Sequence, residues 1–436
     1  MASRVAAAGI SEALKESQLH GISFERIRDA ALALREKVIR TPLVHSPTFS
    51  QLSGAQVFFK LENLQKTGSF KLRGASYKLH VRRSEIGPAG VVAASAGNHA
   101  QGVALASRRA GLPAVIVMPE WASITKQQAT RGYGGQVLLE GRSIGESIEK
   151  ARHLAGEGRT FIHPFDDPDI ICGQGTIGLE ILEDLPEPDA IVVPVGGGGL
   201  ISGIAVAVKT LSPRTQVMGV QSEACPSALA AREAGAPVNV EARRSIADGI
   251  AVREVGALNF PILDRLVDDM QVVGEEEIAE AVLMLLERKR ILAEGAAAVG
   301  VAALLQEKFC IPRAARIAVV ISGGNVDIPL LDRIIKQGLV RNGRIMRFAV
   351  CLEDEPGTLS RLLTLIADFE ANILHIHHDR GSGDIPIQLS RVQLEIETRG
   401  PEHVREISEK LREKGYAVQM VRHHIAGPGG RGRGSE

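Results

Sequence analysis

Four short glycine-bearing runs in this 436-residue chain carry the side chains best suited to chemistry. The first is Thr67-Gly68-Ser69-Phe70-Lys71-Leu72-Arg73-Gly74-Ala75. One lysine stands among small residues at the expected start of a helix. The positive end of a helix and the neighbouring Arg73 both favour loss of its proton. A neutral lysine amine forms an imine with an aldehyde. The second run is Ser95-Ala96-Gly97-Asn98-His99-Ala100-Gln101-Gly102, where backbone N–H groups opening a helix can hold a carboxylate and Ser95, Asn98 and His99 add short polar side chains. The third, Pro194-Val195-Gly196-Gly197-Gly198-Gly199-Leu200-Ile201-Ser202-Gly203, joins an apolar strand to a helix and can wrap an anion. No Gly-Lys-Ser/Thr follows, and Gly197-x-Gly199-x-x-Ser202 departs from the dinucleotide fingerprint. A single phosphate suits this loop better than a pyrophosphate. The fourth, Ser322-Gly323-Gly324-Asn325, ends a strand, where open parallel sheets bind ligands. Glu294-Gly295-Ala296-Ala297 adds one carboxylate to an apolar stretch. Taken singly, these are an exposed lysine, a helix cap, a turn and a helix segment; together they ask for a common scaffold.

That scaffold is legible as alternating strands and helices. A helix is predicted over 24–39, with Ile27, Ala30, Ala31, Leu34 and Val38 at helical spacing. Strands are predicted over 56–61, 90–95, 113–118, 190–195, 216–220 and 316–322, with an alanine-rich helix over 100–110. Continuous apolar runs such as Pro113-Ala114-Val115-Ile116-Val117-Met118 are typical of parallel strands buried on both faces. Strand, glycine turn and helix in repetition mean a parallel α/β architecture. The pattern changes at 337–344. Beyond it come a strand (345–352), the turn 353–357 and a helix with Leu359, Leu362, Leu363, Ile366 and Phe369 on one face. Strands over 372–378 and 389–396 follow, the latter with Leu389, Val392, Leu394 and Ile396 set against Ser390, Arg391, Gln393 and Glu395. A helix over 401–414 and a strand over 417–421 complete a βαββαβ, ferredoxin-like order. The glycine-rich end is expected to be a flexible tail.

Composition narrows the partners. Lys plus Arg equals Asp plus Glu at 51 each, so no nucleic-acid or anionic-membrane partner is indicated. No apolar run approaches a membrane span. The first residues lack a signal-peptide core, being broken by Glu12, Lys15 and Glu16, and a cytoplasmic protein is expected. Cys172, Cys225, Cys310 and Cys351 form no CxxC pair, so neither zinc nor a disulfide framework is indicated.

The four runs, in this order, closely resemble the threonine dehydratase (threonine ammonia-lyase) and serine racemase group of fold-type II pyridoxal-phosphate enzymes, over residues 25–335. Residues 346–422, with the turn Asp354-Glu355-Pro356-Gly357-Thr358-Leu359, resemble an ACT domain, a small-ligand regulatory module. The resemblance implies two open parallel α/β domains of the tryptophan synthase β kind. It divides the chain into a catalytic region 1–336 (a smaller subdomain, about 55–160, inserted in the larger), a linker 337–344, an ACT domain 345–424 and a tail 425–436. It also implies that Lys71 carries pyridoxal 5'-phosphate as an imine, that Phe70 packs on the ring and that Asn98 bonds the 3′-oxygen. Gly196, Gly197, Gly198, Gly199 and Leu200 would bind the phosphate, and Ser322 the pyridine nitrogen. Gly249 and Glu294 would line the ring. Ser95, Ala96, Gly97, Asn98 and His99 would receive the substrate carboxylate. The implied reaction is elimination of water and ammonia from L-threonine to 2-oxobutanoate, and from L-serine to pyruvate. Lys71 would take the α-proton, and the cofactor phosphate would be the acid for the leaving hydroxyl.

Rival chemistries on the same cofactor are racemisation and β-replacement; a non-catalytic amino-acid sensor is a rival from another class. Ala96 stands where the racemases carry a second serine, and it cannot move a proton. Gln221 stands where their divalent-cation site needs an acid, although Glu223 is near; no metal is expected. His375-x-His377-His378 is read as module surface or ligand pocket. By resemblance, the module would bind a branched-chain effector such as isoleucine or valine, in a homodimer or homotetramer. Isoleucine biosynthesis and threonine catabolism both remain open.

Overall fold

The computed structural model describes residues 2–421, in two compact units that divide between Leu330 and Leu331. In chain order the first unit holds strands β1 (Leu43–His45), β2 (Gln56–Leu61), β3 (Val91–Ala94), β4 (Ala114–Met118), β5 (Gln136–Leu139), β6 (Thr160–Phe161), β7 (Ala190–Pro194), β8 (Gln216–Ser222), β9 (Asp269–Val273) and β10 (Arg316–Ile321).

One sheet runs β1-β2-β10-β7-β8-β9, with β1 antiparallel at its edge and every other neighbour parallel. Every residue of β7 is buried, as its unbroken apolar sequence requires. The helices Gly199–Leu211 and Gly295–Leu305 pack on this sheet. A second parallel sheet runs β5-β4-β3-β6, with β4 entirely buried. The strands of this smaller sheet lie within 91–161. The expected start of the subdomain near residue 55 is therefore corrected. β2 belongs to the larger sheet because it pairs on one side with β1 and on the other with β10, Gln56 opposite Arg316.

The helix Phe24–Leu34 stops short of the expected residue 39. Gln65 explains why: its side chain accepts from the Ile39 N–H at 2.8 Å and donates to the Ile39 carbonyl at 2.8 Å. A backbone already paired with a distant amide cannot continue the i→i−4 ladder.

The helix Ile328–Arg341 occupies most of the segment expected to be a linker, leaving 342–344 as non-helical connection. Leu331, Ile334, Ile335 and Leu339 fall at helical spacing there, a signal the two glycines in 337–344 obscure. The second unit continues with β11 (Ile345–Glu353), β12 (Ile373–Asp379), β13 (Leu389–Glu397) and β14 (Gln419–Met420), in the antiparallel order β12-β13-β11-β14. Helices Thr358–Asp368 and Pro401–Glu413 complete the ferredoxin-like order. Phe348, Val350, Leu362, Ile366, Val392, Leu394, Ile396, Ile407 and Leu411 form its core. On β13 the buried face is Ser390, Val392, Leu394 and Ile396. Ser390, rather than the expected Leu389, points inward because strand side chains alternate strictly. The expected tail 425–436 lies outside the described residues.

Candidate active site

The run 67–71 lies against the run that follows β10. Ser69 bridges Gly323, the Phe70 N–H donates to the Ser322 carbonyl at 3.1 Å, and the Gly324 N–H donates to the Gly68 carbonyl at 2.9 Å. This pairing sets Lys71, first residue of the helix Lys71–Val81, beside the buried Ser322. Lys71 Nζ donates to the Pro164 carbonyl at 2.8 Å and sits 5.0 Å from the Phe70 ring centroid. Loss of solvent around the amine pushes it down to about 8, with Glu294 pulling the other way.

Arg73 plays no part in that shift, contrary to the expectation from its position. Its guanidinium is buried between two carboxylates, donating to Glu62 at 2.7 and 2.8 Å and to Glu180 at 2.6 and 2.9 Å. Lys60 Nζ also donates to Glu180. Two cations and two anions cancel at the base of the Lys71 helix, which is how fully buried charges are tolerated. The Lys71 helix is thereby tied to β2 and to the helix Pro168–Asp184.

The run 95–99 joins β3 to the helix Asn98–Arg109, whose start has no side-chain cap. The polar side chains are committed elsewhere. Ser95 Oγ accepts from the Gly97 N–H at 3.1 Å. Asn98 Nδ2 donates to the two Glu294 oxygens at 2.8 and 2.9 Å, and Asn98 Oδ1 accepts from Asn325 Nδ2 at 2.7 Å. His99 is buried, with Nε2 2.9 Å from the Ile162 carbonyl; desolvation first, then Lys71, pushes it down to about 3. A neutral ring facing a carbonyl must carry its proton on Nε2. At this helix start it is therefore the backbone N–H groups that can meet an anion.

Glu294 is buried where the Gly295–Leu305 helix begins, and burial pushes its carboxyl up to about 7. Gly249 adjoins it: a Cβ there would stand 3.7 Å from Glu294 Oε1 and 3.2 Å from the Ala296 Cβ.

The third run joins β7 to the helix Gly199–Leu211, again without a side-chain cap. Gly198 has φ +98°, in the left-handed region that favours glycine. A Cβ on Gly197 would fall under 3.0 Å from the Phe165 ring. That ring belongs to a segment sequence reasoning missed, His163-Pro164-Phe165-Asp166. His163 Nδ1 accepts from the Asp166 N–H at 2.8 Å and the Phe165 N–H at 3.3 Å, and burial pushes the imidazole down to about 4. Asp166 accepts from the Ala257 and Leu258 N–H groups at 3.1 and 2.9 Å and from Asn259 Nδ2 at 3.2 Å. Its only local signal is that of a proline-bearing polar turn. Asn325, at the end of the fourth run, ties Asn98 to the Thr67 carbonyl: its Nδ2 donates to that carbonyl at 2.8 Å and to Asn98 Oδ1 at 2.7 Å.

Gln221 is fully engaged in structure. It accepts from the Ala228 and Leu229 N–H groups at 2.9 and 3.1 Å and donates to the Val195 carbonyl at 3.3 Å. Among the described residues no group of three or more His, Cys, Asp or Glu side chains is arranged to hold a metal ion.

The site therefore offers a desolvated amine, the uncapped starts of the helices Asn98–Arg109 and Gly199–Leu211, and two buried hydroxyls, Thr67 Oγ1 and Ser69 Oγ, with no hydrogen-bond partner among the described residues. Those groups fit a ligand carrying both an aldehyde and a phosphate. Comparison with known proteins points the same way. The family described as pyridoxal-phosphate dependent enzyme matches residues 34–323. The chain is 48% identical over 401 residues to an L-threonine ammonia-lyase of Thermotoga maritima, covering 92% of this chain and 100% of that protein. The processed form of threonine deaminase isoform 2 from Solanum lycopersicum superposes with a TM-score of 0.69 at 36% identity, covering 72% of this chain and 92% of its own. Maize serine racemase superposes with a TM-score of 0.69 at 34% identity, covering 74% of this chain and 99% of its own.

Proposed function

The chain belongs to the pyridoxal-phosphate dependent enzyme family, and from that premise we propose that it is a fold-type II L-threonine ammonia-lyase. It converts L-threonine to 2-oxobutanoate and ammonia, and L-serine to pyruvate and ammonia. The observation that carries this reading is the Lys71 amine, lowered to about 8 and set in one site with Asn98, Glu294 and the glycine loop. When bound, pyridoxal phosphate supplies an electron sink for the bond broken at the substrate α-carbon.

The chain's own residues do the rest. The N–H groups of Gly196, Gly197, Gly198, Gly199 and Leu200 would hold the phosphate, favoured by the dipole of the uncapped helix. Phe70 and Gly249 would border the ring. Ser95, Ala96, Gly97, Asn98 and His99 would receive the substrate carboxylate at the start of the helix Asn98–Arg109. Lys71 Nζ removes the α-proton. Loss of the β-hydroxyl leaves an enamine, and its hydrolysis returns the water and frees ammonia. Asn98 would turn its amide from Glu294 to the 3′-oxygen. Glu294, raised to about 7, can give up that bond as a neutral acid at little electrostatic cost.

Dehydration is favoured over racemisation by Ala96, whose methyl cannot deliver a proton to the opposite face of the α-carbon. Ser322 would face the pyridine nitrogen of the bound cofactor and leave it largely unprotonated, which disfavours side reactions such as transamination. Ser322→Asp should slow 2-oxobutanoate release by about tenfold or more while cofactor stays bound. An unchanged rate would remove Ser322 from this role. The reaction is tested by equimolar 2-oxobutanoate and ammonia release from L-threonine, with L-serine in parallel. Bound cofactor with neither product would turn attention to racemase and β-replacement assays.

The ferredoxin-like second unit contributes no part of this constellation, and the proposal gives it regulation. A branched-chain amino acid, isoleucine or valine, binds it in a homodimer or homotetramer and shifts the enzyme between two states. The expected result is a change of about fivefold or more in the threonine concentration for half-saturation on adding isoleucine or valine. Superimposable saturation curves would refute it; light scattering gives the assembly size. A cytoplasmic location belongs to the same proposal, supported by four free cysteines. No helix among the described residues is long and apolar enough to cross a membrane.

A further inference from the structure

A charged contact joins the smaller sheet's side of the site to two loops of the larger one. The helix Ile124–Gly132 lies between β4 and β5 and is capped by Ser123, which accepts from the Lys126 N–H. Lys126 Nζ lies 3.3 Å from Asp248 Oδ2 and 3.2 Å from Asp327 Oδ2. Asp248 immediately precedes Gly249, and Asp327 follows Asn325 by two residues. The lysine side chain is only 20% exposed, whereas the acids are 67% and 40% exposed. One ammonium thus bridges two carboxylates from loops far apart in sequence, each close to a residue of the site. Long lysine side chains on helices usually extend into water. This one is held inward by charges on the opposite side of the cleft.

From this geometry we infer that Lys126 is a positioning residue, a latch that holds the helix Ile124–Gly132 against the 248 and 327 loops and so keeps the cleft closed around bound substrate. Closure matters to an elimination because it excludes water and fixes the substrate against the base. Two carboxylates gathered on one ammonium repel each other once it is removed. Losing Lys126 therefore replaces an attraction across the cleft with a repulsion between its two loops. Because the acids are exposed, salt should weaken the latch in the parent protein.

The test uses the full-length holoenzyme and three variants, Lys126→Met, Lys126→Arg and the double variant Asp248→Asn/Asp327→Asn. Lys126→Met and the double variant should raise KM for threonine about fivefold to tenfold, with kcat within about twofold of the parent. Lys126→Arg should restore most of the loss. The parent's KM should rise with sodium chloride, and that of Lys126→Met should not. Hydrogen exchange should be faster in Lys126→Met over 122–132 and 246–252. The kinetic arm rests on the threonine reading; the exchange arm does not, and it separates failure of the latch from failure of that reading. A raised KM with unchanged exchange would mean that Lys126 touches substrate directly, and the latch would be wrong. Faster exchange with unchanged KM, or no change in either, would overturn it as well.

Discussion

Lys71→Ala is expected to leave no more than about one part in 1,000 of the parent's 2-oxobutanoate release from L-threonine. The lysine is asked both to carry the cofactor and to take the α-proton, and a methyl group does neither. The fold should survive, because the one hydrogen bond lost runs from Nζ to the Pro164 carbonyl, at a partly exposed position. An unchanged melting temperature and phosphate bound without the covalent absorbance band would separate lost chemistry from lost structure. A pH dependence follows in the apoprotein. Below about 8 the amine is largely protonated and not nucleophilic; above it the neutral form dominates. The rate at which the apoprotein captures pyridoxal phosphate should therefore climb as pH rises toward 8 and level off above it. An ordinary exposed lysine would go on climbing for about two further units. A capture rate still rising steeply between pH 9 and 10 would contradict the desolvated amine.

Gly197→Ala should weaken the cofactor by about tenfold to a hundredfold, the range expected when overpacking costs about 1–3 kcal/mol. The added methyl would meet the Phe165 ring at under 3.0 Å, a separation real Cβ atoms essentially never show. Phe165 has little room to retreat. A Cβ on Gly199 would stand 2.7 Å from its carbonyl, Asn259 Nδ2 donates to that carbonyl at 3.2 Å, and its N–H is held by His163. Either the ring or the loop must shift, and a shifted loop no longer aims its N–H groups together. Equilibrium dialysis with pyridoxal phosphate measures the loss. Adding Phe165→Leu, which removes much of the obstructing ring, should recover part of it. Parent-like affinity in Gly197→Ala would show that the glycine loop is not the phosphate cradle.

Much of this scaffold could be read in advance, for one physical reason. Short continuous apolar runs such as Ala190-Ile191-Val192-Val193-Pro194, bounded by turn residues, are typical of strands buried on both faces, and β4, β7 and β10 carry them. In such sheets ligands gather where strands end, and the glycine-rich runs sit at those ends: Ser95 after β3, Gly196 after β7, Ser322 after β10. Local order along the chain puts Lys71 and the glycine loop at helix starts and Ser322 at a strand end, while their roles rest on the family resemblance. The alternation of β13 was legible too, except at its first residues, where Ser390 rather than Leu389 turned inward.

Electrostatics and partnership were not legible, because they depend on groups far apart in sequence. Arg73 looked like a neighbour that would acidify Lys71. Glu62 and Glu180 neutralise it, and Glu180 is more than a hundred residues away. The helix from Phe24 looked long enough to reach residue 39, but Gln65 had claimed the Ile39 backbone. Glu294 looked like an ordinary helix residue until Asn98, from the other sheet's side of the cleft, met it under full burial. The sequence by itself determined which elements form and which short runs stand at the strand ends, since burial pattern and glycine content are local properties. Only the tertiary structure decided the state of the site: which side chains are already committed, which charges cancel and which amine is short of water, because desolvation is set by everything that packs around a group.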